Sequence, residues 1–326
     1  MRRLSLSLAC GDYEIVRSLK DGTVEPDGID LVVLTGDRTR ILRAERREEC
    51  DLAEYNIVGY LMDRQVDEDL VALPVYPHRR FRHGFAFVRA DRGIESPADL
   101  VGKRVGIRGR APAAVIWLRG ILADHYGLGY DAVQWVDNFG VLGEPSTNRP
   151  AGEPTIADNN ARIDEALLEG ELDAMLSPSF PPAFVRGDPR IRRLFPDYRS
   201  EEISYFRQTG IFPIMHVVLV RRALVEQHRW VPSAMAFAFE RAKAAAYERL
   251  RNPRTLPLAF LQSAWEEQRE LLGPDPWRYG LGGANRENLA TILRYTHEQG
   301  LVDTLPRIED VFVPLGDDSF TGTPGY

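Results

Sequence analysis

The sequence predicts an α/β protein built as two lobes, and three observations lead to this fold class. Apolar β-type runs alternate with helical patterns through the first half of the chain, which is typical of a sheet with crossover helices. The 326 residues exceed the size of one typical core. Turn residues precede a new strand near residue 90, and a long apolar run returns near residue 212. We therefore expect lobe 1 to comprise residues 1–90 and 212–326, and lobe 2 residues 91–211.

The first half of the chain supplies most of the predicted strands. They are short apolar or alternating runs bounded by turn residues. The strands are predicted near 3–9, 29–35, 71–77, 84–89 and 104–108, and the helices near 38–48, 56–65 and 112–126. Pro112 suits the first turn of the last of these helices, and Gly127 suits its end.

The second half becomes mainly helical. A polar loop with three prolines is predicted over 140–160, followed by a short helix near 161–169 and a strand near 172–176. The run Ile211–Val220 is apolar on both faces, as expected of a central buried strand. Helices are then predicted near 221–228, 232–250, 255–272 and 285–299. With two strands crossing between its lobes, the chain should form a clamshell whose cleft closes on small ligands.

Composition narrows the class of protein. The formal net charge of -7 and the lack of a basic stripe argue against nucleic-acid binding. No apolar run approaches the roughly 18 residues of a membrane helix. Leucine and serine alternate before Cys10, which predicts a first strand rather than an export signal, so we expect a cytoplasmic protein. Cys10 and Cys50 match no metal-ligand spacing and are consistent with a reducing compartment.

The segment Pro74–Phe85 concentrates positive charge in an acidic protein. Three arginines and two histidines fall within the six residues from His78 to His83. A local cationic cluster of this kind predicts a site for a carboxylate, which arginine binds through two hydrogen bonds. If the segment is extended, its side chains alternate between two faces. The first face would carry His78, Arg80 and Arg82, and the second Arg79, Phe81 and His83.

Three further residues are candidates, each with a structural alternative. Arg119 interrupts the apolar stripe of helix 112–126, so it either reaches the cleft or forms a structural ion pair. His216 lies in the most apolar strand, where it is either a proton carrier or a hydrogen-bonded core histidine. Glu54 lies where a strand gives way to a helix, either as a cleft residue or as a carboxylate at the helix start.

Several familiar chemical signals are missing from the sequence. It contains no nucleophile elbow, phosphate loop or dinucleotide fingerprint. His78 and His83 would lie on opposite strand faces, which weakens the case for a metal site. No organic cofactor is predicted, while a requirement for a divalent metal is left open.

Seven motifs spread over nearly the whole chain resemble the 4,5-dihydroxyphthalate decarboxylase family, whose members have the type II periplasmic-binding-protein fold. These motifs are Cys10–Tyr13, Asp51–Glu54, Pro74–His83, Asp99–Gly106, Trp117–Leu122, Thr209–His216 and Trp277–Gly280. Two stretches differ from the pattern expected of the family. Gly109–Pro112 replaces an expected tyrosine and threonine, and Ser177–Pro182 replaces an expected arginine. Both differences fall in loops predicted to line the cleft, so the substrate can differ from 4,5-dihydroxyphthalate.

The resemblance implies that CO2 is removed from a hydroxylated aromatic acid without an organic cofactor. The site would need an acid that protonates the ring carbon, a base for the phenol and cations for a spectator carboxylate. Our hypothesis is that His216 or His83 donates the proton to the ring carbon and that Glu54 is the base for the phenol. Arg82 and Arg119 would hold the spectator carboxylate. Arg80, Trp117 and Tyr13 complete the expected substrate-binding set, the last two as walls for the ring.

Two other functions stay open at this point. A solute-binding protein for an aromatic or dicarboxylic acid would have the same fold, and an export signal would favour it. An enzyme of the same fold that acts on a biosynthetic hydroxy-acid is favoured by the two loop differences. In each case the expected partner is a small carboxylate rather than nucleic acid or membrane, and the oligomeric state is left open.

Overall fold

The computed structural model describes residues 3–36, 49–67, 69–108, 112–137, 140–141 and 156–315. The chain divides into two compact units. Unit 1 comprises Met1–Arg79, Ile214–Leu293 and Thr304–Tyr326, and unit 2 comprises Arg80–Pro213 and Arg294–Asp303. Each unit contains its own sheet, which confirms the predicted α/β class.

Unit 1 contains a five-stranded sheet in the order β2-β1-β3-β11-β4. Its strands are β1 Leu4–Ala9, β2 Ile29–Leu34, β3 Leu52–Asn56, β4 Leu70–Leu73 and β11 His216–Arg221. β1 is parallel to β2 and β3, whereas β11 is antiparallel to β3 and β4. The alternation that predicted β1 buries Leu6 and Leu8 and exposes Ser5.

Five of the seven helices described in unit 1 correspond to predicted helices, whereas the first and the last were not predicted. They are α1 Arg17–Lys20, α2 Ile57–Asp63, α7 Arg222–Gln227, α8 Val231–Arg251, α9 Leu261–Leu272, α10 Ala284–Glu298 and α11 Ile308–Val311. α8 buries Met235, Phe239 and Ala242, whose spacing of three or four residues places them on one face. The residues of α10 from Arg294 onward belong to unit 2.

Unit 2 contains a six-stranded sheet in the order β10-β5-β9-β6-β7-β8. Its strands are β5 Ala86–Arg89, β6 Arg104–Ile107, β7 Gln134–Asp137, β8 Gly140–Val141, β9 Ala174–Leu176 and β10 Ile191–Arg193. Its helices are α3 Ala113–Tyr126, α4 Ile156–Glu169, α5 Pro182–Val185 and α6 Tyr198–Thr209. β6 is parallel to β7 and β9, and β5 is antiparallel to β9 and β10.

The division into units differs from the expected boundaries at 90 and 212. The units divide between Arg79 and Arg80, because β5 pairs with β9 and β10 inside unit 2. They divide again between Pro213 and Ile214, and Arg294–Asp303 returns to unit 2 as a short segment that the sequence did not reveal.

Some elements escaped the sequence analysis or lie outside the described residues. Strands β3, β7 and β10 and helix α6 were not predicted as separate elements. The helix predicted near 38–48 and most of the loop predicted over 140–160 lie outside the described residues. The loop difference at Gly109–Pro112 is described only at Pro112.

Candidate functional site

Two adjacent strands of unit 1 bring Glu54 and His216 together. β3 and β11 are antiparallel, with Glu54 opposite Val218, so His216 lies diagonally across from Glu54 on the same face. His216 Nδ1 contacts Glu54 Oε1 in a hydrogen bond. The glutamate is 4% exposed, while the histidine side chain is 16% exposed. The structure thus pairs two predicted catalytic residues that are far apart in the sequence.

Both carboxylate oxygens of Glu54 accept hydrogen bonds. Oε1 accepts from the Tyr13 hydroxyl at 2.7 Å as well as from His216. Oε2 accepts from the Gly11 backbone N–H at 2.7 Å and from Cys10 Sγ at 3.4 Å. Donors from two segments of unit 1 therefore surround this carboxylate, which we call the Glu54 cluster: Cys10, Gly11, Tyr13, Glu54 and His216.

The surroundings of Glu54 favour its ionised form. Burial alone would raise the pKa of Glu54, but the charge and hydrogen bond of His216, together with the donors Gly11 and Tyr13, lower this pKa overall. The same environment acts in the opposite direction on the neighbouring thiol. Burial first, and then the charge of Glu54, raise the pKa of Cys10 well above its usual value. The cluster therefore holds an ionised carboxylate beside a neutral thiol.

Two aromatic rings connect the cluster to a cavity in unit 1. Tyr13 stacks on His78 with ring centroids 5.9 Å apart, and His78 contacts the His216 ring edge-on at 4.8 Å. Tyr13 and His78 line a cavity of about 490 Å³, together with Trp265 and Trp277. This volume lies within the range of small-molecule sites. His78 was not among the preferred site residues, although it belongs to the predicted cationic segment.

Unit 2 contains the arginines of the cationic segment from Arg80 onward. Arg82 is 2% exposed, and its Nη1 donates to the Pro178 carbonyl at 3.1 Å. Its guanidinium lies 5.2 Å from the centroid of the Phe85 ring, and that of the exposed Arg80 lies 4.5 Å from the same centroid. Arg82, predicted to hold the spectator carboxylate, and Arg80, predicted as a further substrate-binding residue, therefore share one aromatic partner.

The side chains from His78 to His83 do not alternate between two faces, as was expected of an extended segment. Arg79, Arg82 and His83 are all buried, because the extended chain ends and a 3-10 turn begins at His83. Arg79 belongs to unit 1 and donates from Nη2 to the Asn285 side chain at 2.5 Å and to the Arg278 carbonyl at 2.7 Å. Burial lowers the pKa of Arg79 to about 10. Its interactions place it in the core of unit 1 rather than on a solvent-facing strand surface.

His83 lies in an aromatic surrounding in unit 2. Its ring is 1% exposed and contacts the rings of Tyr126, Phe195 and Tyr205 at 5.4–6.2 Å between centroids. Neither ring nitrogen has a hydrogen-bond partner among the described residues. Burial, followed by the charge of His125, lowers the pKa of His83 to about 4. This surrounding favours a neutral, enclosed imidazole.

Helix α3 uses its two predicted site residues for packing. Trp117 is fully buried and contacts the Tyr295 ring edge-on at 5.6 Å. Arg119 is 8% exposed and lies 4.6 Å from the Trp135 ring centroid and 5.5 Å from that of Tyr130. Burial lowers the pKa of Arg119 to about 10. The described contacts of this arginine are aromatic, which differs from both the cleft role and the ion pair considered from the sequence.

Two negative findings concern the described part of the chain. No group of three or more His, Cys, Asp and Glu side chains there is arranged to hold a metal ion. Likewise, none of the helices described is both long and apolar enough to cross a membrane.

Comparisons with known proteins identify relatives of this chain. A protein named 4,5-dihydroxyphthalate decarboxylase from Comamonas testosteroni is 35% identical, over 98% of this chain and 99% of its own. A protein of the same name from Pseudomonas putida is 34% identical, over 64% of this chain and 83% of its own. The model of the family described as NMT1/THI5 like matches residues 25–146.

Solved structures agree on the fold. A putative periplasmic sulfonate-binding protein from Methylobacillus flagellatus KT matches with a TM-score of 0.59 and 13% identity, covering 96% of this chain and 92% of its own. A Candida albicans protein described as exhibiting the generic periplasmic binding protein structural fold matches with a TM-score of 0.51 and 10% identity, covering 97% and 99%. Both similarities confirm the predicted periplasmic-binding-protein fold. Because the Comamonas protein matches along nearly the full length of both chains, this chain belongs to the 4,5-dihydroxyphthalate decarboxylase family.

Proposed function

We propose that this protein is a cofactor-independent decarboxylase of a hydroxylated aromatic carboxylic or dicarboxylic acid similar to 4,5-dihydroxyphthalate. Both relatives carry the name of a carboxy-lyase with such a substrate. The observation that carries the proposal is the hydrogen-bonded pair of a buried Glu54 and a partly exposed His216. A partly exposed imidazole that a buried carboxylate holds in place can act as the general acid that the reaction needs.

The reaction exchanges a carboxylate for a proton on the aromatic ring. His216 donates a proton to the ring carbon that bears the departing carboxylate, while the phenol proton leaves to a base. The resulting dienone-like intermediate accepts the electron pair of the breaking C–C bond as CO2 departs. The phenol then regains a proton and the ring becomes aromatic again, so that one proton is consumed and one CO2 is released.

The contacts of Glu54 change the role proposed for it. The hypothesis drawn from the sequence assigns this residue to the phenol, but both of its oxygens already accept hydrogen bonds within unit 1. We therefore propose that Glu54 orients His216. Tyr13 donates its hydroxyl to the same carboxylate and presents its ring to the cavity of about 490 Å³.

The arginines of unit 2 supply the proposed contacts for the carboxylate that stays on the ring. Arg82 and Arg80 share the Phe85 ring, which supports their guanidinium groups without neutralising them. If the arginines bound the departing carboxylate, they would stabilise the ground state. Binding of the spectator carboxylate leaves the barrier unchanged. We leave Arg119 and Trp117 out of the proposed site, because their described contacts lie within the packing of α3.

A panel of substrates tests the proposal. The purified protein is incubated with 4,5-dihydroxyphthalate, with monohydroxylated phthalates and with hydroxybenzoates, and released CO2 is measured. We expect release from acids with a hydroxyl ortho or para to the departing carboxylate, and none from phthalate itself. Thermal stabilisation by the acids without CO2 release would instead support the solute-binding alternative. Isomerised or eliminated products would support the third alternative, an enzyme that acts on a hydroxy-acid.

The remaining assignments are part of the same proposal. We expect full activity after treatment with a metal chelator, because protonation of carbon by an imidazolium needs no metal or organic cofactor. We also propose a cytoplasmic location for the protein. Cell fractionation tests the location, and sedimentation tests whether the protein forms a homo-oligomer.

A further inference from the structure

The backbone of unit 1 holds a second histidine beside His216. The His78 carbonyl accepts hydrogen bonds from the N–H groups of Met215 at 2.9 Å and of His216 at 3.3 Å. The side chains meet as well, because the His78 ring contacts the His216 ring edge-on with centroids 4.8 Å apart. Backbone and side-chain contacts thus place two imidazoles next to each other, both within unit 1.

His78 also belongs to the wall of the cavity in unit 1. Its ring stacks on that of Tyr13, and both residues line the cavity of about 490 Å³ together with Trp265 and Trp277. Aromatic walls of this kind suit a planar aromatic ligand. Since His78 is only half-buried, its imidazole can meet a ligand in the cavity while it touches the proposed acid.

The chemistry of the cavity wall favours His78 as a base. Among the described residues that line the cavity, the side chains that can accept a proton are Asp12, Glu14 and His78. Lys20 binds Asp12 at 2.9 Å, and Arg249 binds Glu14 at 2.5 Å. An imidazole is also ordinarily the stronger base, with a pKa of about 6.5 against about 4 for a carboxylate. A phenol, which is a weak acid, therefore finds its best proton acceptor in the histidine.

We propose that His78, rather than Glu54, is the catalytic base that takes the phenol proton. A ring nitrogen of His78 accepts this proton, and the electron pair of the broken O–H bond moves into the ring as His216 protonates the carbon. After CO2 departs, His78 returns the proton to the phenolate oxygen. One histidine gains a proton as the other gives one away, so the two adjacent rings never carry two positive charges. The inference rests on the proposed function, which makes His216 the acid.

An unreactive ligand tests this assignment by its absorbance. In 3-hydroxy-4-nitrobenzoate the hydroxyl lies meta to the carboxylate, as the reacting hydroxyl of 4,5-dihydroxyphthalate lies meta to the carboxylate that stays. The ligand has no departing carboxylate, and its nitrophenol group absorbs at longer wavelength when ionised. At saturating ligand and a pH below the pKa of this phenol, the wild-type protein should show the phenolate band. His78→Gln should show the band of the neutral phenol instead.

Two further variants separate the base from its neighbours. His216→Gln should keep the phenolate band, because this residue acts on the ring carbon. His228→Gln is the matched control and should also keep it, since the ring of His228 contacts Trp230. A neutral phenol bound to the wild-type protein, or a phenolate band in His78→Gln, would overturn the inference. Loss of binding in a folded His78→Gln variant would overturn it too, because His78 would then hold the ligand rather than ionise it.

The spectra decide the role of His78 without any turnover. The ligand releases no CO2 in the proposed reaction, so its ionisation is measured whether or not the protein is a decarboxylase. Failure of the CO2 assay with every hydroxylated acid would refute the proposed function alone. A missing phenolate band in a protein that does release CO2 would refute only the assignment of the base.

Discussion

Unit 1 buries the carboxylate of Glu54 and unit 2 partly buries that of Glu202, yet the pKa values of the two carboxylates shift in opposite directions. The pKa of Glu54 is lowered, because His216, Gly11 and Tyr13 all act on it at hydrogen-bonding range. The pKa of Glu202 is raised to about 7, because its desolvation outweighs one long hydrogen bond and the charges around it. Burial alone would raise the pKa of both carboxylates, and the short hydrogen bonds to Glu54 reverse this effect in unit 1 only.

This contrast separates the two tasks that the proposed reaction requires. The Glu54 cluster keeps a fixed negative charge, which suits an imidazole that must carry and release a proton. In unit 2, the charges of Arg80 and Arg82, the arginines proposed to bind a carboxylate, act on Glu202, whose pKa burial raises to about 7. Each substitution below changes a residue of only one of the two units.

The largest effect is expected from the proton donor of unit 1. His216→Gln should lower kcat by about 10² to 10⁴-fold, the range of general acid catalysis, while the melting temperature stays close to that of the wild type. His228→Gln, in the same unit, is the control and should leave kcat unchanged. A fully active His216→Gln variant would remove this residue from the reaction.

Loss of the fixed charge beside His216 should have the next largest effect. Glu54→Gln keeps the shape of the side chain but removes the negative charge that holds His216, so kcat should fall by about 10²-fold with little change in KM. Tyr13→Phe removes a single donor to the carboxylate and should cost less. A rise in KM alone would show instead that Glu54 contacts the substrate.

Glu54→Gln should also change how stability depends on pH. Because the folded-state pKa of Glu54 is lowered, its ionised form stabilises the fold above the usual value of 4.5, and this contribution is lost as the pH falls through the folded-state pKa. Urea unfolding at several pH values should therefore show a smaller loss of stability on acidification in the variant.

A more moderate effect is expected in unit 2. Arg82→Ala should raise KM for an aromatic diacid by about tenfold to a hundredfold, the worth of a hydrogen bond between charged groups, and should have less effect on a monoacid. Arg192→Ala is the control, because Arg192 Nη2 binds Glu95 and the Ile94 carbonyl instead. Equal losses for the diacid and the monoacid would refute a role in binding the spectator carboxylate.

The smallest effect on activity is expected at His83. His83→Phe should retain the wild-type kcat, since we assign the proton to His216, and a large loss would transfer that role to His83. The folded-state pKa of about 4 lies below the usual 6.5, so the wild-type fold loses stability as pH falls from 6.5 towards 4. The loss is up to about 1.4 kcal/mol per pH unit. Unfolding of His83→Phe should lack this loss.

Much of the fold was readable from short-range patterns. The alternation of Leu4–Ala9 and the continuous apolar run near residue 216 each led to the correct strand, because burial on one or both faces leaves a periodic record in the sequence. β10 left no such record, since its three residues Ile191–Arg193 include two arginines. The first boundary between units was expected too late, because pairing of β5 inside unit 2 is a long-range property.

The candidate site was predictable only in part for a similar reason. Residue type and position identified Glu54 and His216, but their contact depends on strands 162 residues apart in the chain. Arg119 looked exceptional because an arginine interrupts an apolar stripe, yet Trp135 accommodates it through its ring. Glu202 had no distinguishing pattern, since its environment is created by arginines from other elements. Tertiary contacts of this kind leave no local signal.

The position of β11 has a consequence for the order in which the protein is made. This strand lies between β3 and β4, so the central part of the unit 1 sheet cannot form until residues 216–221 have left the ribosome. Every strand of the unit 2 sheet precedes them in the chain. Since domains fold as they emerge, the unit 2 sheet can assemble while β3 and β4 still wait for their partner. The pairing of Glu54 with His216 is thus a late event in biosynthesis, and Arg80 and Arg82 are synthesised before the proposed acid His216.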